Sequence, residues 1–384
     1  MLQDGWEPRP FRQFLLKVHS RCNLACDYCY VYTLADQSWR SRPKVMAPEL
    51  IETAAVRITE HAKRHQVDSV RLILHGGEPL LVGHAYLRGA VETIRSQAGP
   101  GLQVDAAVQT NGVLLDDDAL RCFADLDVKV GVSLDGSARG NDRNRRFADG
   151  RSSYDPVAKA LHLLMSPAFE HLYSGLLCTI DLANHPVETY EALLEFRPPM
   201  IDFLLPHGTW ESPPPGRSAD PKKTPYGDWL VAVFDRWYGS SGDTVVRLFE
   251  EIIQMLMGGR SASESVGLTP TSLVVIETDG TIEQTDALKV VRQGAPITGL
   301  NIVDHPFDLA LEHPGMVARQ LGWEALSDTC KSCRFGRVCG AGLYPHRYRP
   351  GTGFRNPSVY CYDLYRLIGH IHSRLVRDLR RSSV

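Results

Sequence analysis

The sequence has no apolar run of about 18 residues, the length a membrane-spanning helix needs, so no membrane segment is expected. It has no excess of one charge. Forty-two Lys and Arg against 45 Asp and Glu leave a formal charge of -3, which gives no electrostatic footprint for nucleic acid. The amino terminus, MLQDGWEPRP, lacks the apolar core of a secretory signal, and no internal repeat recurs at a fixed period. Nine cysteines in an exported chain would suggest a disulfide framework, but here they cluster with metal-like spacing and no export signal precedes them. The reducing cytoplasm is therefore the expected compartment.

Cys22, Cys26 and Cys29 lie in CNLACDYCY, a C-x3-C-x2-C pattern. Three thiolates on a four-iron cluster leave one iron without a protein ligand, and that iron can take up a small chelating molecule. A structural zinc site is the alternative reading, but zinc needs a fourth ligand, and nearby His19 falls in the strand-like run FLLKVH.

Strand-like runs at Phe14 to Val18, Val70 to Leu74, Gln103 to Gln109, Val128 to Leu134, Gly175 to Ile180 and Ile201 to Leu205 alternate with helical periodicity. Six βα units predict an α/β fold, a partial (β/α)6 TIM barrel. Ligands bind at the carboxyl ends of such strands, where the cysteine loop, HGGEP, QTNG and SLDG all fall. The Pro-rich ESPPPGRSADPKKTP then breaks the pattern, followed by helical segments near Tyr226 to Trp237 and Thr244 to Met257. A strand-turn-strand signal, SLVVIETDGTIEQ, and an amphipathic closing helix complete the chain. Three segments are expected: 11–206, 207–268 and 269–384.

The cysteine spacing, Tyr28 before the last thiol, and the three downstream motifs resemble the radical S-adenosylmethionine (SAM) enzymes. The resemblance implies a [4Fe-4S] cluster on Cys22, Cys26 and Cys29 whose open iron is chelated by SAM. Gly76 and Gly77 would let the methionine end approach the backbone, and Glu78 would accept a hydrogen bond from its ammonium. Asn111, Ser133 and Asp135 would bond the ribose and methionine moiety, although residues of these types also cap strand ends in any protein. Arg145, in NDRNRR, resembles the arginine of an HDxxR motif that contacts the SAM carboxylate. Here Asn141 replaces the histidine, and a solvated basic loop is the competing reading.

Cys330, Cys333, Cys339 and Cys361 form C-x2-C-x5-C-x21-C, four thiolates that would close an auxiliary [4Fe-4S] cluster or a tetrahedral zinc site. Their spacing resembles the outer cluster of the SPASM domain. Thr285 and Leu343 stand where two further SPASM cysteines would fall, so a second, inner cluster is not expected. Asp286 matches the acid that takes a substrate proton in SPASM enzymes that oxidise side chains; alternatively TDALK starts a helix.

The segments FLLKVHSRCNLACDYCYVY, ETDGTIEQTDALK and CGAGLYPHRYRPGTGFRNPSVYC look like the FxsB-type peptide maturases. That resemblance implies a short ribosomal precursor peptide as substrate and an electron donor such as flavodoxin or ferredoxin. The implied product is a cyclophane, an aromatic carbon joined to a β-carbon. Side-chain dehydrogenation, thioether formation and a zinc-stabilised peptide-binding protein are the other readings.

Overall fold

The computed structural model describes residues 6–382 except Pro221 and Ser241. Ten strands occur among them: β1 (Gln13–His19), β2 (Ser69–Gly76), β3 (Gln103–Thr110), β4 (Lys129–Ser133), β5 (Tyr173–Thr179), β6 (Met200–Leu204), β7 (Val245–Val246), β8 (Leu273–Ile276), β9 (Thr281–Glu283) and β10 (Ile297–Asn301). The first six coincide with the six expected runs to within two residues at each end. Two compact units interleave along the chain, a different partition from three consecutive segments. The first holds 1–133, 142–174 and 271–320; the second holds 134–141, 175–270 and 321–384.

In the first unit β1 pairs with β2, β2 with β3 and β3 with β4, all parallel. Parallel strands need crossovers, and helices supply them. Helix Pro48–Arg64 begins with proline at its first turn, where the missing N–H costs nothing, and buries Ile51, Ala54, Ala55, Ile58 and Ala62. Helix Asp117–Asp125 is capped by Asp116, whose side chain accepts from the Ala119 N–H at 2.9 Å.

The hairpin signal is realised as antiparallel β8 and β9, with Gly280 at φ +79° in the turn. Its sheet partner was not legible: β8 runs parallel to β1, with Gln13 opposite Leu273.

In the second unit β5, β6 and β7 pair in parallel. The helix expected from Thr244 starts three residues later, because Val245 and Val246 are β-branched and extend the sheet beside Met200 and Ile201. The closing helix Cys361–Ser382 packs on helix Pro225–Tyr238. Its Asp363 accepts from the orphan N–H groups of Tyr226 and Gly227, each at 2.9 Å, and Gly227 has no Cβ because one would lie 2.7 Å from the Asp363 carbonyl oxygen.

Candidate active site

The loop of Cys22, Cys26 and Cys29 leaves the end of β1 and is fastened to the end of β2 through the backbone. Gly77 N–H donates to the His19 carbonyl at 2.8 Å, and Glu78 N–H donates to the Arg21 carbonyl at 3.0 Å. A Cβ on Gly76 would lie 2.1 Å from the His19 carbonyl oxygen. One on Gly77 would lie 1.8 Å from the Tyr32 hydroxyl and 2.4 Å from the Arg21 carbonyl. The close approach expected at these glycines is therefore filled at least in part by the cysteine loop's own backbone.

Glu78 is fully buried and clasps the ends of two strands. Its Oε1 accepts from the Leu80 N–H at 3.0 Å and the Thr110 hydroxyl at 2.7 Å, and its Oε2 accepts from the Asn111 N–H at 2.7 Å. Burial raises its pKa above the ordinary value against the pull of those three donors. Oε2 keeps acceptor capacity for one further donor. Asn111 donates from Nδ2 to Asn23 Oδ1 at 2.7 Å and to Cys22 Sγ at 3.6 Å, which orients the first thiol.

Arg145 is 7 % exposed, so it is not part of a solvated loop. It donates from Nη1 to the Tyr28 hydroxyl at 2.9 Å, and its charge acts on Cys29 and Glu78. The neighbouring backbone braces the cysteine loop, with Ala25 N–H donating to the Arg146 carbonyl at 2.8 Å. Ser133 ends β4 and accepts from Gln109 Nε2 at 3.1 Å. Asp135 belongs to the second unit, where it accepts from the Thr179 N–H at 2.9 Å.

Burial pushes the Cys22 thiol up to about 12, with Glu78, Cys26 and Cys29 adding to the rise. Cys29 is raised too, again by burial. Thiols in this setting stay protonated unless a bound cation takes them as thiolates, which is the chemistry of a metal or cluster ligand set. The three-thiol loop fits such a group.

Asp286 opens a short 3-10 helix, Asp286–Val290, as the alternative reading of TDALK expected, and its carboxylate is 4 % exposed. Its Oδ1 lies 2.8 Å from Lys17 Nζ, and its charge reaches Tyr30, the residue after Cys29, and His75, the residue before Gly76. The first unit thus places Asp286 beside the cysteine loop.

Lys17, Tyr30 and His75 were missed from sequence. The signal available was a lysine inside an apolar strand, FLLKVH. Lys17 also lies 3.0 Å from Glu277, and Lys289 lies 3.2 Å from Glu277 and 3.1 Å from Glu283. Arg42 joins Glu283 at 2.9 Å and also pairs with Asp279. Burial alone would depress the Lys17 ammonium, but Asp286, Glu277 and Glu283 hold it well above its ordinary value. Ligand oxygens of Glu277, Glu283 and Asp286 converge within 4.8 Å of one another. The two ammonium groups of Lys17 and Lys289 already occupy that convergence.

In the second unit Cys330, Cys333, Cys339 and Cys361 line one cavity of about 100 Å³, together with Phe335 and Tyr365. Ser327 accepts from the Cys330 N–H at 3.3 Å, Gly340 ends the Cys339 turn in the left-handed region, and Cys361 begins the long helix. A Cβ on Gly340 would lie 1.6 Å from the Gly267 carbonyl oxygen. Burial pushes Cys339 up to about 12 and Cys361 up to about 11, each raised further by its neighbouring thiols. Four thiols around one small cavity fit a closed metal or cluster site.

Residues 16–197 match the model of the Radical SAM superfamily. Over the full chain the protein is similar to the Cysteine-type anaerobic sulfatase-maturating enzyme of Clostridium perfringens, at 25 % identity over 96 % of this chain and 98 % of that one. It is also similar to the Serine-type enzyme of Bacteroides thetaiotaomicron, at 24 % identity over 94 % and 90 %. The fold matches anSMEcpe bound to AdoMet and the Kp18Cys peptide, with a TM-score of 0.81 at 22 % identity over 96 % of this chain and 99 % of that one. Streptococcus suis SuiB bound to its precursor peptide SuiA matches with a TM-score of 0.58 at 14 % identity over 92 % and 76 %. The α/β architecture with its parallel sheet is the radical SAM fold. The two relatives similar over the full chain are sulfatase-maturating enzymes, not the expected FxsB-type cyclophane-forming maturases.

Proposed function

We propose, from the match of residues 16–197 to the model of the Radical SAM superfamily, that the chain is a peptide-modifying oxidoreductase that removes a β-hydrogen from a substrate side chain. The observation that carries this reading is the position of Asp286, a buried carboxylate held by Lys17 within electrostatic reach of the residue that follows Cys29.

Cys22, Cys26 and Cys29 would hold a [4Fe-4S] cluster with SAM on its open iron, which when bound supplies the 5'-deoxyadenosyl radical that abstracts hydrogen. Asn111 and the Gly76-Gly77-Glu78 backbone hold the thiol loop in place. Tyr28, Glu78, Asn111, Ser133, Asp135 and Arg145 are the SAM contacts of this reading, Arg145 carrying the charge complementary to the SAM carboxylate. Cys330, Cys333, Cys339 and Cys361 would hold the auxiliary cluster.

Loss of a hydrogen atom leaves a carbon radical, and a closed-shell product requires that a proton and an electron follow. Asp286 accepts the proton at a carboxylate oxygen, and Lys17, 2.8 Å away, fixes the position of that carboxylate. The electron returns to iron-sulfur chemistry or to a donor protein such as flavodoxin or ferredoxin, and the compartment of this reading is the cytoplasm.

The product of this reading is the aromatic-carbon to β-carbon crosslink of a precursor peptide. Full-length similarity to sulfatase maturases favours a second reading, oxidation of a Cys or Ser side chain. The test is anaerobic incubation of reconstituted protein with SAM, reductant and either an aromatic-rich peptide encoded beside this gene or a synthetic Cys- or Ser-containing peptide. The first reading expects loss of two hydrogens and a gap in tandem fragmentation across the linked residues. A product trapped by a hydrazide reagent would instead be an aldehyde and establish the second. Absence of 5'-deoxyadenosine with every peptide would overturn both.

A further inference from the structure

Charge is shared unevenly along the chain. Residues 321–384, the closing stretch of the second unit, hold 11 Lys and Arg against four Asp and Glu, a formal +7 that leaves the rest of the chain at -10. The four acids offset little of that excess at the surface. Asp363 is buried, Glu324 pairs with Lys331 at 3.0 Å and Asp378 with Arg374 at 3.5 Å, so Asp328 is the one exposed acid of the stretch without a basic partner among the described residues.

The closing helix gathers the excess on one face. Its inward side buries Leu364, Leu367, Ile368 and Ile371. With 3.6 residues per turn, the opposite side carries Tyr362, Tyr365, Ser373, Val376, Arg377 and Arg380, a stripe about 27 Å long. At one end Ser373, Val376, Arg377, Arg380 and Arg381 line a surface depression. Arg366 and Arg374 of the same helix are paired with Asp228 and Asp378, whereas exposed Arg377 and Arg380 have no acidic partner among the described residues. The other end is the thiol cavity. Tyr365, 46 % exposed, lines it beside Cys333 and Cys361 and meets Phe335 edge-on with ring centroids 5.2 Å apart, while exposed Arg334 lies over Phe335 at 4.5 Å.

We propose that this outward face of the closing helix is the docking surface for a small acidic one-electron carrier protein, seated so that its redox group approaches the four-thiol cavity at Tyr365. The proposal rests on the reading of the four thiols as an iron-sulfur site. Charge complementarity selects an acidic partner, and position selects a redox one, because the stripe leads to a cavity wall that reaches solvent. Electron-transfer encounters bury little area, which one helix face and its rim supply. The transfer moves one electron and no atom, so the carrier gains what the loaded site loses. A second copy of this chain offers an acidic surface too, but basic stretch on acidic remainder is a head-to-tail contact that no two-fold axis closes.

Isothermal titration of the reconstituted full chain with an oxidised flavodoxin, without SAM or peptide, tests the surface. Binding at low ionic strength should weaken about tenfold or more by about 0.5 M NaCl. Arg377→Glu with Arg380→Glu, and separately Ser373→Glu, should each raise Kd about tenfold, while Lys63→Glu with Arg121→Glu, which matches the double reversal in charge but lies in the first unit, should leave it within about twofold. Arg334→Glu should weaken binding from the thiol end; if it fails to fold, the helix variants still decide. A second measurement places the electron. In a Cys26→Ala background, dithionite-reduced protein freed of excess reductant should convert oxidised flavodoxin to its semiquinone, about tenfold more slowly with Arg377→Glu and Arg380→Glu added.

A Kd unmoved by the helix variants, or moved equally by the first-unit control, would overturn the surface. Self-association of the chain at low salt, or tighter binding of a single-stranded oligonucleotide than of flavodoxin, each lost in the same variants, would give the face to another occupant and overturn the carrier. Iron analysis separates the two levels of failure. A flavin left oxidised by protein that holds iron in the second site would overturn the docking alone, and a second site without iron would overturn the reading beneath it.

Discussion

The two thiol sites are built on opposite plans. The three-thiol loop of the first unit is pinned from outside, by backbone bonds to the Gly76-Gly77-Glu78 turn and by the Asn111 side chain. The four-thiol site of the second unit is made of short turns around a cavity of about 100 Å³ and the start of one long helix. Three ligands need a rigid frame because the metal group cannot complete its own shell. Four ligands fold around the group and close it. On the proposed reading the first plan would leave a position for chemistry and the second would not.

The largest effect that separates the plans is expected from single cysteine losses. Cys26→Ala should abolish 5'-deoxyadenosine release, while Cys333→Ala should retain it and lose iron from the second site; chromatography and iron analysis read both. Retained release in Cys26→Ala would erase the distinction. Asp286→Asn sharpens the catalytic side of the comparison. SAM cleavage should persist while modified peptide falls about 10²–10⁴-fold, the usual contribution of a positioned base, measured by mass spectrometry against released 5'-deoxyadenosine.

Frame against fold-around is tested next by Gly77→Ala. A methyl group there meets the Tyr32 hydroxyl and the Arg21 carbonyl, so we expect about 3 kcal/mol of destabilisation by denaturant titration. Gly351→Ala, with nothing within 4 Å of its Cβ position, is no packing control because its φ is +81°; Gly89→Ala, on an open helix face, is the correct one and should cost nothing. The smallest effect is in pH dependence. Glu283 is raised in the folded state, so its contribution is full below about 4.5, the unfolded value, and is lost as pH rises through about 7. Between pH 5 and 8 the wild type should lose about 2–3 kcal/mol relative to Glu283→Gln, read from paired unfolding curves. Parallel curves would show that Glu283 is ionised throughout.

The six parallel strands were legible because apolar runs such as FLLKVH and VRLILH alternate with helical spacing, and the thiols because cysteine spacing is local. What lay beyond reach was distant pairing. Nothing near Lys17 in sequence announces Glu277 or Asp286, some 260 residues away, and periodicity identifies β8 as a strand without naming β1 as its neighbour. Glu78 was expected to face a ligand's ammonium, yet most of its acceptor capacity serves Leu80, Thr110 and Asn111. A motif gives the residue type at a strand end, and only packing shows which donors reach it first. Arg145 shows the converse, since a run of arginines looks solvated until one of them is found buried against Tyr28.

The parallel pairing of β1 with β8 also sets an order of events at birth. Gln13 emerges from the ribosome about 260 residues before its partner Leu273, which at typical synthesis rates is a delay of roughly 13–50 s. Throughout that interval the strand that launches the cysteine loop has a bare edge, and the lysine destined for the charge cluster has no acids to meet. The last third of the chain is therefore the latch that covers that edge and brings Glu277 and Asp286 to Lys17.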